Sequence, residues 1–88
     1  MALEHLLKRE RPDAVIVQGD TASAYAGALA AEFLGIPVAH VEAGLRTGNL
    51  EDPWPEEGFR VAIDRVSRWC FCPTDWAARN LDLEPEHQ

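Results

Sequence analysis

Ile36-Pro37-Val38-Ala39-His40-Val41-Glu42-Ala43-Gly44-Leu45-Arg46-Thr47 passes from a short apolar run into an imidazole, a carboxylate and a guanidinium. In an α/β protein, that change of character marks the carboxyl end of a strand handing over to a ligand-facing loop. A stretch built only for packing has little use for so many polar groups at its end. Within ten residues Pro53-Trp54-Pro55-Glu56-Glu57 follows and adds two more carboxylates.

Working outward, the same grammar recurs. Leu3, Leu6 and Leu7 at helical spacing predict an opening helix, stopped by Arg11-Pro12-Asp13. Ala14-Val15-Ile16-Val17 reads as a strand buried on both faces, the signature of a parallel sheet. Gly19-Asp20-Thr21 turns the chain into an alanine-rich helix over residues 22–34, with Gly35 at its C′ position and Pro37 beyond. Val38 to Val41 is the second strand. Pro55 at a first helical position, followed by Glu56 and Glu57, starts a third helix whose apolar stripe is Phe59, Ala62, Ile63 and Val66. Trp69-Cys70-Phe71-Cys72 is a third strand, and Pro73-Thr74-Asp75 opens a last helix to about Leu81, before a polar, acidic tail over residues 82–88. Helices alternating with buried strands imply an α/β fold, a partial Rossmann-like parallel sheet of about three strands with right-handed crossovers. Three strands are few for such a sheet, so the expectation is a part of a larger doubly wound domain.

Composition narrows the function classes. Eighty-eight residues allow one domain at most, and one of this size buries only ~60–65% of its unfolded surface. A formal net charge of −7 argues against nucleic acid as a partner, because backbone binding needs a basic face. No apolar stretch approaches the ~20 residues of a membrane span, and the first residues lack the pattern of a signal peptide, so no membrane is expected and the cytoplasm is the expected location. Cys70 and Cys72 are the only cysteines. Two thiols do not make a zinc site, and strand residues two apart sit at the limit for a disulfide, so buried strand thiols are expected and no metal.

The three strands run the same way, which puts the loops after them on one sheet edge, where open α/β sheets bind ligands. Asp20, Glu42 and Glu56 are thereby expected to converge on one crevice. Each has a plainer reading. Asp20 or Thr21 suits a helix cap, and Glu56 has an i+4 partner in Arg60 for a surface ion pair. Glu42 precedes Ala43-Gly44 rather than a helix and needs a partner, with Arg46 the candidate. His40 suits a satisfied core position equally well. Trp54 between two prolines reads as a loop anchor packed on the domain. Arg46-Thr47-Gly48-Asn49 offers donors to a phosphate or sugar hydroxyls, or is a solvated turn. Neither Gly-x-Gly-x-x-Gly nor Gly-x-x-x-x-Gly-Lys-Ser/Thr occurs.

Taken together, Gln18-Gly19-Asp20-Thr21, the HVEAGLRTG run from His40, PWPEE with Arg60, and Pro73-Thr74 with Asn80-Leu81 strongly resemble UDP-N-acetylglucosamine 2-epimerases, from Arg11 to Leu81 and in order. The resemblance implies a two-domain protein of the GT-B type, with this chain, residues 1–88, a partial N-terminal Rossmann-like domain and the C-terminal UDP-binding domain absent. It implies interconversion of UDP-GlcNAc and UDP-ManNAc in cell-envelope polysaccharide biosynthesis. UDP is eliminated to a 2-acetamidoglucal and re-added, with no redox cofactor or metal. It maps the catalytic carboxylates onto Asp20, Glu42 and Glu56, with His40, Arg46, Thr47 and Arg60 taken as substrate-binding. A histidine of the second half is also missing, so the chain alone is expected to be inert. Phe59 stands where the family usually has Asn. The alternatives are a hydrolysing 2-epimerase that releases ManNAc, and a non-enzymatic remnant or split half that assembles with a partner. Exposed sheet edges are expected to drive self-association, as a homo-oligomer or otherwise.

Overall fold

The computed structural model describes residues 2–84. Helices α1 (Ala2–Glu10), α2 (Ala22–Phe33), α3 (Glu56–Val66) and α4 (Asp75–Asp82) alternate with strands β1 (Val15–Gln18), β2 (Val38–Val41) and β3 (Trp69–Phe71). The α/β order expected from the sequence is therefore the order found. Boundaries move by a residue: β1 begins at Val15 and β3 stops at Phe71. Pro55 is the N-cap of α3 rather than its first helical residue. Of the expected acidic tail, Asp82 belongs to α4 and residues 85–88 lie outside the described residues.

The sheet is parallel in the order β1-β2-β3. Val15 pairs with Val38 and Val17 with His40, which in turn pairs with Cys70, so these residues share one face. Two right-handed crossovers that step the same way across a sheet place both of their helices on one side. Accordingly α2 packs against β1, β2, α1 and α3 over that face. Alanine and glycine let α2 come close: Ala28, Ala30 and Ala31 are buried, and Gly27 leaves just enough room for Val17 Cγ1, 3.4 Å from where a Cβ would stand. Leu7, Ile36, Val38 and Ile63 complete the core. The Phe59 ring stacks on Tyr25, centroids 4.7 Å apart, so the aromatic at this position joins α3 to α2.

The opposite face corrects the expectation of a doubly buried first strand. Ile16 is 72% exposed, and Phe71 and Trp69 in the neighbouring rows are exposed as well. The strand residues are apolar on both sides, but among the described residues the helices that pack on the sheet lie on one side only. Trp54 is another departure: it is 71% exposed and does not anchor its loop on the domain. No helix among the described residues is long and apolar enough to cross a membrane.

Ends of elements are set by local chemistry. Thr21 caps α2 by accepting from the Ala24 amide at 3.1 Å, and Thr74 caps α4 through the Ala77 amide at 3.0 Å. At the end of α2, Gly35 has φ +75, its amide bonds Glu32 O, and the Ile36 amide bonds Ala31 O, a Schellman closure. Past β2, Gly44 (φ +84) lies so close to α4 that a Cβ there would stand 2.3 Å from Ala77 O, and Asn80 Nδ2 donates to Gly44 O at 2.9 Å. Gly44 is therefore the contact that lets α4 dock. Gly44→Ala is expected to destabilise the protein by about 3 kcal/mol or more, from overpacking against backbone added to a left-handed φ. Gly35→Ala, with nothing within 4 Å of the new methyl, is expected to cost only about 1 kcal/mol. Urea unfolding of the two variants against the parent checks the difference.

Candidate active site

The loops after β1 and β2 form a pocket of about 370 Å³ lined by Gln18, Gly19, Asp20, Thr21, Glu42 and Arg60, with Leu45 as an apolar wall. Because Thr21 supplies the cap of α2, Asp20 is not tied up as a helix cap. Its Oδ2 lies 3.7 Å from Arg60 Nη1, which reaches over from α3. At the end of β2, the amides of Glu42 and Ala43 both donate to Phe71 O at 3.1 Å, and the chain then turns through Glu42 at φ +69. A non-glycine residue in that region carries roughly 1–2 kcal/mol of backbone strain, a feature that clusters at functional sites. The partner of Glu42 is Gln18, whose Nε2 donates to Oε1 at 3.0 Å, and not Arg46. Carboxylates from two adjacent strand ends thus face one cavity, with one guanidinium beside Asp20.

Behind this wall lies a buried charge network centred on Asp64 of α3. His40 Nδ1 approaches Asp64 Oδ1 at 2.5 Å, while its Nε2 donates to Gly19 O at 2.7 Å. Asp64 Oδ2 accepts from the Gly44 amide at 3.0 Å and pairs with Arg46 Nη1 at 2.9 Å. Arg46 also forks onto Glu84 through Nε and Nη2, both at 3.0 Å, and donates to Leu45 O. Neither His40 nor Arg46 lines the pocket, and every ring and guanidinium nitrogen of the two is engaged within the protein. Thr47 turns its hydroxyl to the backbone of Asn49 and Asp52, in the solvated-turn geometry. Glu56 stands at the start of α3 but is not in the pocket lining, and the i+4 pair with Arg60 is not formed. Arg60 instead pairs with Glu57, Nε to Oε1 at 2.8 Å. The N–H direction misses the oxygen, so this buried contact is a charge pair without a directed hydrogen bond.

Glu57 is a buried side chain beside the site to which the sequence analysis assigned no contact. Its Oε2 accepts from the Thr47 and Gly48 amides at 3.0 Å each and pins the loop that leads to α3. A signal existed, since charges at 57, 60 and 64 recur at helical spacing on one face. Gln18 was legible as a strand-end residue, whereas nothing local marked Glu84 as the partner of Arg46. Cys70 Sγ lies 3.8 Å from Asp64 Oδ1. Burial first, and the charge of Asp64 second, push this thiol up to about 12, which leaves it protonated and unreactive at neutral pH. Cys70 and Cys72 are both free and half-buried. Among the described residues no His, Cys, Asp and Glu side chains group in a way that would hold a metal ion.

The network has a definite pH signature. Burial alone would lower the His40 pKa, but the hydrogen bonds to Asp64 and to Gly19 O and the charge of Asp64 outweigh it, and the net direction is upward. Burial would raise Asp64, but the His40 and Gly44 hydrogen bonds and the two cations hold it down. A raised histidine contributes stability that is complete below its unfolded pKa of about 6.5 and is lost as pH rises through the folded value. A lowered aspartate contributes stability that is complete above about 3.9 and is lost as pH falls. Both contributions are therefore complete between roughly pH 4 and 6.5. Removing one partner of a buried pair costs on the order of 3–5 kcal/mol. His40→Asn is expected to destabilise the protein by about that amount at pH 6, and to abolish the decline of the parent's stability above pH 6.5 that this group causes. Urea midpoints taken from pH 5 to 8.5 on both proteins test this.

Comparison with known proteins places this geometry. The sequence model of UDP-N-acetylglucosamine 2-epimerase matches residues 1–88. The UDP-N-acetylglucosamine 2-epimerase of Neisseria meningitidis serogroup A is 48% identical over 80 residues, 91% of this chain and 22% of that protein. The UDP-2,3-diacetamido-2,3-dideoxy-D-glucuronate 2-epimerase of Pseudomonas aeruginosa is 49% identical over 84 residues, 96% of this chain and 23% of that protein. The crystal structure of UDP-GlcNAc 2-epimerase from Neisseria meningitidis bound to UDP-GlcNAc superposes with a TM-score of 0.91 at 45% identity, covering 97% of this chain and 24% of the other. The chain thus spans between a fifth and a quarter of the length of these relatives. Because the family model matches this chain from residue 1 to residue 88, the chain belongs to the UDP-N-acetylglucosamine 2-epimerase family.

Proposed function

We propose that this chain supplies one wall of the active site of a 2-epimerase acting on a UDP-linked 2-acetamido sugar, with UDP-GlcNAc as the first substrate to test. The observation that carries the reading is the meeting of Asp20 and Glu42, from two strand ends, in one pocket beside Arg60. The relatives act on, or are bound to, UDP-acetamido sugars, which supports the substrate class.

The reaction asks for carboxylates rather than a redox group or metal. The proton on C2 of the sugar is only weakly acidic until the C1–O bond to UDP begins to break. A carboxylate takes that proton while the C–H electron pair forms the C1–C2 double bond, and UDP departs with the electrons of the C1–O bond. Return of a proton to C2 from the opposite face, with UDP re-adding at C1, completes the inversion. Groups held on both sides of the ring are needed, and positioning plus acid–base assistance supply the rate. In this reading Asp20 and Glu42 are the carboxylates of this wall. Arg60 is the cation that neutralises charge beside Asp20. Glu56, at the start of α3 and outside the pocket lining, is kept as the third carboxylate of the set. His40, Arg46 and Thr47 act by holding the loops rather than by touching the sugar. The remaining groups, including the domain that binds most of UDP in a GT-B arrangement, belong to the three-quarters of the relatives' length that this chain does not span.

In the complete protein, Glu42→Gln is expected to lower deuterium incorporation at C2 of UDP-GlcNAc in heavy water by roughly 10²–10⁴-fold with little change in UDP affinity. Glu56→Gln is expected to do the same, and full activity in that variant would remove Glu56 from the set. The 88-residue chain alone is expected to exchange no C2 proton. Product analysis by NMR separates the readings. UDP-ManNAc supports the epimerase, free ManNAc with UDP the hydrolysing relative, and turnover only of a UDP-diacetamido-glucuronate the alternative substrate.

A further inference from the structure

We propose that Asp64 is a positioning residue of this site, whose buried carboxylate fixes the segment bearing Asp20 and the segment bearing Glu42 relative to one another. The inference rests on the reading of Asp20 and Glu42 as the reacting carboxylates.

Asp64 touches nothing in the pocket. It is 0% exposed, and its two oxygens divide their bonds between the His40 ring of β2 and the loop that follows β2. From Oδ1 the link runs through the His40 ring to Gly19 O, the carbonyl immediately before Asp20. From Oδ2 it runs to the Gly44 amide, two residues after Glu42, and to Arg46 beyond it. The β1–β2 ladder cannot do this work. Its last bond, Gly19 N–H to Val41 O at 3.0 Å, lies before both carboxylates. Asp20 and Glu42 both stand past the end of the sheet, and Glu42 stands there in a strained left-handed conformation that an unsupported loop would relax. The Glu42 and Ala43 amides are tied to Phe71 O of β3, which holds Glu42 to its own side of the sheet but not to β1. The Asp64 links span that gap, one ending just before Asp20 and the other just after Glu42.

Packing alone is a poor account of the group. A buried ion pair is weak evidence for stability, and a well-packed apolar replacement often does as well. What an apolar side chain cannot do is hold the ring of a β2 residue, and through it the end of β1, together with an amide of the loop after β2. A displacement of about 1 Å between reacting groups is enough to cost on the order of 10²-fold in rate.

The test uses the complete protein. In Asp64→Asn a single amide oxygen replaces two carboxylate oxygens that serve His40, the Gly44 amide and Arg46, so at least one link is lost. His40→Gln breaks the link to Gly19 and leaves the one to Gly44. Ile63→Ala, a buried core residue next to Asp64 with no part in the pocket, serves as a control for simple destabilisation. The expected result is a fall of about 30-fold or more in kcat for C2 proton exchange in both variants, with the Kd for UDP-GlcNAc within about threefold of the parent. The control is expected to lose thermal stability but to keep kcat. Equal kcat per folded molecule in Asp64→Asn and the control would overturn the proposal, as would failure of both variants to fold while the control folds. If the parent itself exchanges no C2 proton, the functional reading fails. The positioning claim is then judged by hydrogen exchange of residues 18–21 and 41–44. Exchange faster by about tenfold or more in both segments of Asp64→Asn supports it, and unchanged protection overturns it.

Discussion

A carboxylate buried at the centre of a small domain is costly unless charge and hydrogen bonds both meet it. Asp64 is met by an imidazole, a guanidinium and a backbone amide, and much of the chain's local form follows from that requirement. The amide comes from Gly44, whose left-handed backbone also gives α4 its seat. The imidazole comes from β2 and reaches across to the end of β1. The guanidinium comes from the loop and brings in Glu84 from beyond α4. One anion thereby organises two strand-end segments and the last helix.

The same economy explains the chemistry facing the pocket. Of the arginines near the site, Arg46 is absorbed by Asp64 and Glu84, and Arg60 is shared between Glu57 and Asp20. The cavity is left with two carboxylates and one partly committed cation. Such a lining suits moving a proton to and from carbon better than neutralising a diphosphate, which agrees with a chain of net charge −7. The bare side of the sheet has an equally direct origin. Consecutive right-handed crossovers stack α2 and α3 on one face, so residues such as Ile16 and Phe71 are apolar by sequence yet exposed among the described residues.

Legibility followed distance along the chain. Thr21 and Gly35 were readable because a cap and a Schellman turn are decided within a few residues. Asp20 and Glu42 were readable because parallel strands send their loops to one edge. For His40 a satisfied core position was one of two open readings, and the partners of His40 and Arg46 were not legible because they lie elsewhere: Asp64 is 24 residues from His40, and Glu84 is 38 from Arg46. Trp54 and Phe59 illustrate the same limit from the apolar side. One was expected to pack and stands exposed, and the other, which stands where the family usually has Asn, stacks on Tyr25.

The sequence by itself determined the order of elements, the parallel sense of the sheet, and the family, since periodicity, turn residues and contiguous motifs are all local in the chain. Only the tertiary structure decided which polar groups of the HVEAGLRTG run face the pocket and which face inward. The reason is physical. A charged side chain goes where its charge is best satisfied, and for His40 and Arg46 that place is a carboxylate on α3 that no local pattern in β2 or its loop announces.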